Sequence, residues 1–246
     1  MLLARVNGVL SHASPGVVGT CSGCDGEVSA KCGTIKVWHW AHRAADCDTW
    51  AEPESVWHRD WKSLAPIENQ EVSMERDGEK HRADCVVLGG AVLELQASPI
   101  SVEAIKARET FYGRMAWLFR CNWSERLEFP YYLNRQSGRG QHRGFWWKHG
   151  APSQLAITKP LFWDIGEEVW RVEVERRRWL DPNLITLVVG EWQDGGWRTD
   201  TRITGRIVKK WSRDSFIRDV FGALARMPMR RAVSTENQGE QGRAAR

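Results

Sequence analysis

The sequence predicts a mixed α/β fold in which helices flank a mixed β-sheet, preceded by a small β-rich module. Two observations lead to this prediction. First, residues 53–122 read as a helix, a three-strand meander, a second helix and a further strand, the order of a mixed α/β core. Second, residues 1–50 combine short apolar stretches and many glycines with four of the six cysteines. With 246 residues, the chain is long enough to bury a sizeable core.

The first predicted helix covers residues 53–65. Trp57, Trp61 and Leu64 recur at i, i+4 and i+7, which predicts a buried apolar stripe. A neighbouring polar stripe, with the spacing i, i+4 and i+8, contains Glu54, His58 and Lys62.

The meander is predicted from alternating polarity and from two turn signals. Asp77-Gly78 and Gly89-Gly90 are dipeptides that favour tight turns between strands. They separate three predicted strands, at residues 67–76, 80–88 and 91–97. Ser101 then caps a helix predicted over residues 102–115, and residues 115–122 read as a fourth, buried strand.

The C-terminal part of the chain predicts further strands at residues 154–165, 168–178 and 184–192 and a helix at residues 206–225. The polar, aperiodic end of the chain predicts disorder. We therefore expect three regions: a Cys/His module at residues 1–50, an α/β domain with a C-terminal extension at residues 51–225, and a disordered tail at residues 226–246.

A cluster of cysteines and histidines dominates the N-terminal module. Cys21-x2-Cys24 is followed, after fourteen residues, by His39-x2-His42 and then by Cys47. Thiolates and imidazoles at this spacing are typical ligands of a tetrahedral structural zinc ion. Cys21 and Cys24 form the knuckle, whereas His39, His42 and Cys47 compete for the two remaining positions.

The remaining cysteines are weaker candidates for zinc ligands. Cys32 is a weaker fifth candidate for the zinc site. Cys85 and Cys121 lie in predicted buried strands and are expected to be core thiols. A redox-active dithiol is the alternative interpretation of the CxxC pair, but no thioredoxin-like βαβ pattern surrounds it.

Two carboxylates interrupt the apolar strands of the meander. Asp84 and Glu94 have nine residues between them, so strands paired through Gly89-Gly90 bring both to one edge of the sheet. Glu94 and Gln96 are two residues apart and point to the same face. Oxygen ligands of this kind suit Mg²⁺ or Mn²⁺. On spacing alone, the alternative is a pair of exposed polar residues on the rim of a strand.

Charge is unevenly distributed, although the formal net charge is only +4. Residues 41–100 hold six basic and twelve acidic side chains, residues 101–150 hold nine and four, and residues 201–231 hold nine and two. An acidic centre between basic stretches is typical of a site that binds metal cations within a phosphate-binding surface. Ordinary solvated charge is the alternative.

Several ordered stretches resemble one protein family. HWAH, DTWAEPESVWHRDWK, HRADCVV, LELQASPIS and ARETFYGRMAW lie in register within residues 18–121 and resemble the competence protein CoiA-like family. The pattern Asp84-x9-Glu94-x-Gln96 on consecutive strands also resembles the PD-(D/E)XK nuclease core, which that family joins to a cysteine/histidine module. The resemblance implies a restriction-endonuclease-like sheet and a Mg²⁺- or Mn²⁺-dependent deoxyribonuclease with structural zinc.

The resemblance also implies residue roles. Asp84 and Glu94 would be metal ligands, Gln96 the third motif position, and Glu54 the acid of the preceding helix. The commoner nuclease motif has lysine where this sequence has Gln96. Glutamine can orient a water molecule but supplies no positive charge.

Four further residues are candidates for the same site. Lys62 could supply the missing charge, and His58 could lie close to the metal or phosphate. Arg108 and Tyr112 on the second helix are candidate DNA contacts. The alternatives are a surface ion pair for His58, pairing with a nearby carboxylate for Arg108, and core packing for Tyr112.

Two other functions fit the same sequence. A catalytically weak or inactive protein could bind single-stranded DNA as a recombination accessory, using its basic stretches and some of its 15 tryptophans. A structural zinc protein could instead recruit a recombinase or another partner. Metal-dependent turnover separates the nuclease from the first alternative, and DNA affinity separates it from the second.

Membrane and secreted classes are not favoured by the sequence. No apolar run reaches the ~18–20 residues that a membrane helix needs. The stretch MLLARVNGVL lacks the basic and apolar regions of a signal peptide. We therefore expect a cytoplasmic protein whose cysteines bind metal or stay reduced rather than form disulfides.

Overall fold

The described part of the protein contains two β-sheets and three α-helices. The structure, a computed structural model, describes residues 1–43, 47–121, 127–128, 143–148, 152–174, 187–193 and 196–222. A small antiparallel sheet forms the N-terminal region, and a larger mixed sheet with the helices follows. The expected mixed α/β class and β-rich N-terminal region are confirmed. The tail expected at residues 226–246 lies outside the described residues.

The N-terminal sheet has five antiparallel strands. They are β1 (Leu3–Val6), β2 (Val9–His12), β3 (Val18–Thr20), β4 (Glu27–Lys31) and β5 (His39–His42). They pair in the order β2-β1-β3-β4-β5. Val28 and Trp40 are buried in a small core, with Cys21 beside them. So small an apolar core is typical of modules that gain stability from a bound metal.

The larger sheet has ten described strands. They are β6 (Gln70–Arg76), β7 (Glu79–Val87), β8 (Ala91–Gln96), β9 (Met115–Arg120), β10 (Leu127–Glu128), β11 (Arg143–Lys148), β12 (Leu161–Asp164), β13 (Glu168–Val174), β14 (Leu187–Gln193) and β15 (Gly196–Ser212). Nine follow the order β10-β11-β15-β13-β12-β9-β8-β7-β6, and β14 pairs with β15. The β8–β9 and β9–β12 pairs are parallel.

The helices are α1 (Val56–Lys62), α2 (Val102–Tyr112) and α3 (Arg213–Phe221). Each begins after a serine whose hydroxyl accepts a hydrogen bond from a backbone amide of the first turn: Ser55, Ser101 and Ser212. Helix α2 connects the parallel strands β8 and β9. None of the helices within the described ranges is both long and apolar enough to cross a membrane.

Three elements differ from the sequence prediction. The strand expected at residues 154–165 is reduced to β12 (Leu161–Asp164), and Pro152–Ala156 form a short 3-10 helix before it. The first helix begins at Val56 rather than at residue 53, because Ser55 has an extended backbone and caps it. Residues 206–212, expected to be helical, form the end of the 17-residue strand β15. Their pairing with β13 overrides local helix propensity, and the helix begins only after the cap at Ser212.

Central strand β8 is buried on both faces. Val92 packs with Ile105 of α2, whereas Leu93 packs in the cluster that contains Trp61 of α1. Successive side chains of a strand point to opposite faces. Glu94 therefore shares the α2-facing side of β8 with Val92, and only 3% of it is exposed.

The buried carboxylate of Asp164 ties two helices to the sheet. It lies at the end of β12, and its Oδ2 accepts hydrogen bonds from the indole N–H groups of Trp57 and Trp61, each at 2.7 Å. Arg213, the first residue of α3, donates to the same oxygen at 3.2 Å. Because these donors come from α1 and α3, one carboxylate fixes the position of both helices.

Removing this carboxylate should destabilise the fold. We expect Asp164→Ala to lower the free energy of unfolding by about 3–5 kcal/mol, because it leaves two indoles and a guanidinium without their acceptor. Asp60 is a matched control, since its exposed carboxylate pairs with Arg59, and Asp60→Ala should change stability by less than about 0.5 kcal/mol. Urea unfolding followed by circular dichroism measures both. Equal losses in the two variants would contradict the anchoring role.

Candidate metal centre and carboxylate cleft

Four side chains of the N-terminal region bring metal-ligand atoms together. The sulfurs of Cys21, Cys24 and Cys47 and a ring nitrogen of His42 all lie within 4.8 Å of one another. The Cys21 and Cys47 Sγ atoms are 3.7 Å apart, and Cys24 Sγ is 3.3 Å from His42 Nε2. Three thiols and an imidazole are a donor set for tetrahedral zinc. This group could therefore hold a structural zinc ion.

The turn between β3 and β4 sets the geometry of the knuckle. The amide of Gly23 donates to Cys21 Sγ at 3.3 Å, and the amide of Gly26 donates to Cys24 Sγ at 3.4 Å. A Cβ atom at Gly26 would lie only 3.1 Å from the Cys24 sulfur. The turn therefore needs a glycine at Gly26 so that backbone and sulfur can approach closely.

Strand alternation decides between the two histidines. His39 and His42 are three residues apart on β5, so their side chains point to opposite faces. His42 reaches the cysteines, whereas His39 Nδ1 lies 2.8 Å from the carbonyl oxygen of Val37. Cys32 also lies outside the cluster. The ligand group of the described residues is Cys21, Cys24, His42 and Cys47.

Burial distinguishes the remaining thiols from the cluster. It raises the pKa of Cys121 to about 12 and also raises the pKa of Cys85, so both stay protonated thiols. Within the cluster, burial and the neighbouring sulfurs raise the pKa of Cys47 to about 12. A zinc ion at this position would supply the positive charge that stabilises the thiolate.

A second site begins where β7 and β8 separate. Their register ends with Cys85 opposite Leu93, so the next pair would be Asp84 opposite Glu94. Here the carboxylates replace backbone carbonyls as acceptors. The Asp84 amide donates to Glu94 Oε1 at 3.3 Å, and the Leu95 amide donates to Asp84 Oδ2 at 2.9 Å. The structure thus brings the two carboxylates side by side.

The buried ammonium of Lys62 lies between three carboxylates. Its Nζ is 2.8 Å from Glu54 Oε1, 3.0 Å from Glu71 Oε1 and 2.9 Å from Asp84 Oδ1. Burial alone would lower the pKa of Lys62, but the charges of these carboxylates outweigh burial and raise the pKa well above its ordinary value. Lys62 is therefore a charged link between α1 and the strands.

The carboxylates around Lys62 differ in their pKa values and in their hydrogen-bond partners. Burial raises the pKa of Glu54 to about 7, and its Oε2 is buried without a hydrogen-bond partner. Burial would also raise the pKa of Glu71, but the Lys62 charge keeps it well below its usual range. The amides of Leu2 and Leu3 donate to Glu71 at 2.8–2.9 Å. Glu54 is thus the carboxylate of this group with a free oxygen.

Glu94 is held from the other side by Arg108 of α2. Arg108 donates to Glu94 Oε2 at 3.2 Å and to the carbonyl of Trp50 at 2.9 Å. Burial raises the pKa of Glu94 to about 8, and the charge of Asp84 acts in the same direction. Perturbed carboxyl groups of this kind cluster at functional sites.

Gln96 lies beside Glu94 on the same face of β8 and is 1% exposed. Its Nε2 donates to a carboxylate oxygen of Glu52 and, at 2.9 Å, to the carbonyl of Ser98. Its Oε1 is buried and has no hydrogen-bond partner. This amide oxygen therefore keeps the capacity to accept one further hydrogen bond.

His58 is buried against β8 rather than exposed on the helix surface. Its Nδ1 lies 2.8 Å from the hydroxyl of Ser55, and its Nε2 lies 3.3 Å from the carbonyl of Leu95. Burial lowers the pKa of His58, which favours the neutral ring. The alternative of a surface ion pair with Glu54 therefore does not hold, and His58 positions α1 on the sheet.

Most of these side chains line one cleft, whereas the buried Glu71 and Gln96 are not among its lining residues. Carboxylates outnumber cationic groups in its walls, and carboxylate oxygens are the ligands that hard divalent cations prefer. Glu54, Asp84 and Glu94 are the residues that could hold such an ion. Across the described ranges, the Cys/His cluster alone forms a tight group of three or more ligand atoms. The charged groups lining the cleft are Asp48, Glu52, Glu54, Asp84 and Glu94 with Lys62, Arg82 and Arg108.

The two candidate DNA contacts of α2 have different surroundings. Arg108 lines the cleft and pairs with Glu94, which was one of its alternatives. Tyr112 is 6% exposed, and its ring centroid lies 5.1 Å from that of Phe111. Core packing therefore replaces the expected DNA contact of Tyr112, because the ring is enclosed by apolar neighbours.

Five residues of the cleft region were not identified from the sequence: Asp48, Trp50, Glu52, Glu71 and Arg82. Glu71 reaches Lys62 through the tertiary fold, and no local pattern marks it. Asp48, Trp50 and Glu52 belong to the stretch before α1, which begins with a turn closed by the Ala51 amide and the Asp48 carbonyl. A turn has no side-chain period, so no regular pattern marks these residues either.

Comparison with known proteins gives one finding. Residues 20–49 match the family model of the competence protein CoiA, N-terminal domain. The matched segment contains all four clustered ligands. The match supports a resemblance of this segment to the CoiA family. No curated protein and no solved structure matches the chain significantly.

Zinc content should distinguish the two histidines. We expect His42→Ala to lose most of its zinc, because a tetrahedral site then lacks one of four ligands, whereas His39→Ala should keep about one zinc ion per chain. Elemental analysis of proteins purified without chelator, with the wild type in parallel, measures this. The reverse result would contradict the ligand set, and a zinc-free wild type would contradict the site itself.

Proposed function

We propose that the protein is a metal-dependent deoxyribonuclease of the PD-(D/E)XK type, which hydrolyses phosphodiester bonds in DNA. The observation that carries the proposal is the position of Asp84 and Glu94, which lie side by side where β7 and β8 separate. Gln96 follows on the same face of β8, two residues beyond Glu94. These are the positions of the three residues in the motif that the sequence resembles.

The order of elements supports this proposal. Helix α1, strands β6 to β8, helix α2 and strand β9 follow one another, and α2 joins two parallel strands. The nuclease core that the sequence resembles has the same order of helix, meander, helix and strand. Asp84 on the second meander strand and Glu94 on the third are the residues that we propose as metal ligands.

A Mg²⁺ or Mn²⁺ ion fits the donor chemistry of the cleft. The cleft has more carboxylates than cationic groups, and Glu54 Oε2 is buried without a partner. Asp84 and Glu94 would hold the ion, with Glu54 assisting directly or through water. A bound ion of this kind polarises the phosphate and lowers the pKa of the attacking water.

Lys62 supplies the positive charge that the motif lysine provides in the commoner nucleases. It comes from α1 rather than β8, but its Nζ lies 2.9 Å from Asp84 Oδ1. Gln96, with its unpartnered Oε1, orients the attacking water. In this proposal Lys62 supplies the positive charge and Gln96 orients the water. A single lysine at the position of Gln96 performs both tasks in the commoner nucleases.

Arg108 is the proposed phosphate contact inside the cleft, since it is a cation already placed against Glu94. Outside the cleft, the exposed Lys209 and Lys210 belong to the basic stretch at residues 201–231. Much of this stretch and of residues 101–150 lies outside the described side chains. Phosphate contacts by such residues make DNA affinity depend on salt.

The proposed setting is the cytoplasm, where the protein would process DNA during uptake or recombination. The family match over residues 20–49 supports the proposed role in uptake, because the matched family is named for competence. DNA is the proposed partner, and a recombinase is the proposed protein partner in the same pathway.

A single-stranded-DNA-binding accessory protein is the second candidate, and two observations favour it. Both oxygens of Asp84 already accept hydrogen bonds, from Lys62 and from the Leu95 amide, so Lys62 competes with a metal for this carboxylate. The loop between β4 and β5 exposes 95% of Ile35 and 48% of Trp38. Exposed aromatic rings are platforms on which unpaired bases stack.

Replacing either carboxylate by its amide should abolish cleavage and preserve the fold. Asp84→Asn and Glu94→Gln keep shape but remove charge, so the rate should fall by about 10²–10⁴. Glu79→Gln is a matched control, because Glu79 is an exposed carboxylate at the other end of β7. Cleavage of single-stranded, duplex and branched DNA with Mg²⁺, Mn²⁺ or EDTA measures the effect.

Two results would argue against the nuclease. Wild-type rates in both amide variants would place the chemistry elsewhere in the protein. An inactive wild type, with salt-dependent DNA binding that survives both substitutions, would favour the accessory function.

The role of Lys62 can be tested by moving its charge. Lys62→Met should lower cleavage at least about 10²-fold, because a positioned charge is lost from the site. The double variant Lys62→Met/Gln96→Lys should recover part of the rate, since it places a lysine at the commoner position. Thermal unfolding of the same variants separates loss of charge from loss of fold. A folded double variant without any recovery would contradict this role.

A further inference from the structure

A short stretch of chain contacts both sites of the protein. This connecting segment, residues 47–54, runs from the metal ligand Cys47 to the cap of α1. It begins with a turn in which the Ala51 amide donates to the Asp48 carbonyl oxygen at 3.3 Å. Four of its residues contact the cleft or the strand beside it: Asp48, Trp50, Glu52 and Glu54.

Asp48 anchors the start of the connecting segment to β7. Its Oδ2 accepts a hydrogen bond from the amide of Arg82 at 2.8 Å, and its Oδ1 lies 3.0 Å from Nδ1 of His81. The side chain is 7% exposed. A buried carboxylate next to Cys47 thus holds the strand that carries Asp84 two residues beyond Arg82.

Trp50 continues the connection to α2. Its ring stacks on His81, with 3.2 Å between centroids and 4° between planes. Its carbonyl accepts from Arg108, which also donates to Glu94. Arg108 Nε is buried without a partner, so the other guanidinium nitrogens determine the direction of this side chain. One of its two described hydrogen-bond acceptors is the connecting segment.

We propose that the connecting segment couples the metal centre to the cleft, with Asp48 and Trp50 as positioning residues for Arg108 and Glu94. An ion bound to Cys47 restrains the start of the segment, and the segment then holds Arg108 against Glu94. Loss of the ion restores conformational freedom to this exposed cysteine and its neighbours. Couplings of this kind change the second site's affinity by about 5–150-fold and act in both directions.

Two backbone amides report on the cleft without any need for cleavage. The amides of Asp84 and Leu95 donate to the carboxylates of Glu94 and Asp84. Their hydrogen exchange therefore depends on where those carboxylates lie. The interpretation of the cleft as a nuclease site rests on the proposed function. The coupling itself can be measured whether or not the protein cleaves DNA.

Hydrogen exchange of these amides in the full-length, zinc-loaded protein tests the coupling. Asp48→Ala keeps all four metal ligands but removes the anchor to β7. We expect exchange of both amides to rise at least about tenfold while zinc stays bound. Zinc removal from the wild type by a chelator should give a similar rise. Glu27→Ala, which removes an exposed partner of Arg43 in the same sheet, should leave the exchange unchanged.

Unchanged exchange in zinc-loaded Asp48→Ala would overturn the proposal, and so would a wild type whose two amides do not respond to zinc removal. If Asp48→Ala does not fold, Asp48→Asn replaces it with the same criterion, because it keeps the shape of the side chain while removing its charge.

Stacking by Trp50 provides a second readout. Trp50→Phe keeps an aromatic ring over His81 and should preserve slow exchange, whereas Trp50→Ala should speed it up. Equal exchange in these two variants would remove Trp50 from the proposal. Slow, zinc-dependent exchange in a wild type that cuts no DNA would support the coupling and contradict the nuclease, so the two proposals can fail separately.

Discussion

The ammonium of Lys62 holds together three carboxylates that come from different parts of the chain. Glu54 precedes α1, Glu71 lies in β6, and Asp84 lies in β7. Buried carboxylates without a cation would repel one another and lose hydration, at a cost of several kcal/mol per ion. The cleft has its present form because one buried positive charge compensates these groups. The lysine that pairs with Asp84 belongs to helix α1 rather than to a strand.

Glu71 makes the N-terminal sheet part of the same arrangement. Its carboxylate accepts hydrogen bonds from the amides of Leu2 and Leu3 as well as from Lys62. Its backbone has a φ of 49°, a left-handed conformation that costs about 1–3 kcal/mol outside glycine. The surrounding hydrogen bonds offset this strain. These hydrogen bonds and those of the connecting segment join the N-terminal sheet to the larger sheet across the boundary expected near residue 50.

Local patterns were sufficient where the chemistry is local. The turn and the alternating polarity predicted the register that places Asp84 opposite Glu94. The cysteine spacing predicted the knuckle of the metal centre. The choice of His42 over His39 required the observed strand, in which the two side chains point to opposite faces. Long-range contacts could not be predicted in this way. Glu71 meets Lys62 only through the packing of α1 on the sheet, and the end of β15 is a strand because β13 pairs with it. The match over residues 20–49 supports the family resemblance for the metal module, and the proposed nuclease core rests on geometry.

The central claim is that Lys62 compensates only part of the negative charge, which leaves the cleft able to bind a divalent cation. Burial raises the pKa of Glu54 to about 7 and that of Glu94 to about 8, and both groups would return to the ionised form beside such an ion. The most direct test is a Mn²⁺ titration of the ¹⁵N-labelled, zinc-loaded protein, followed by nuclear magnetic resonance. Our account predicts that paramagnetic broadening begins at the amides of Asp84, Glu94 and Leu95 and disappears in Asp84→Asn. Broadening that spares these amides and appears instead around exposed carboxylates such as Glu79 would contradict it.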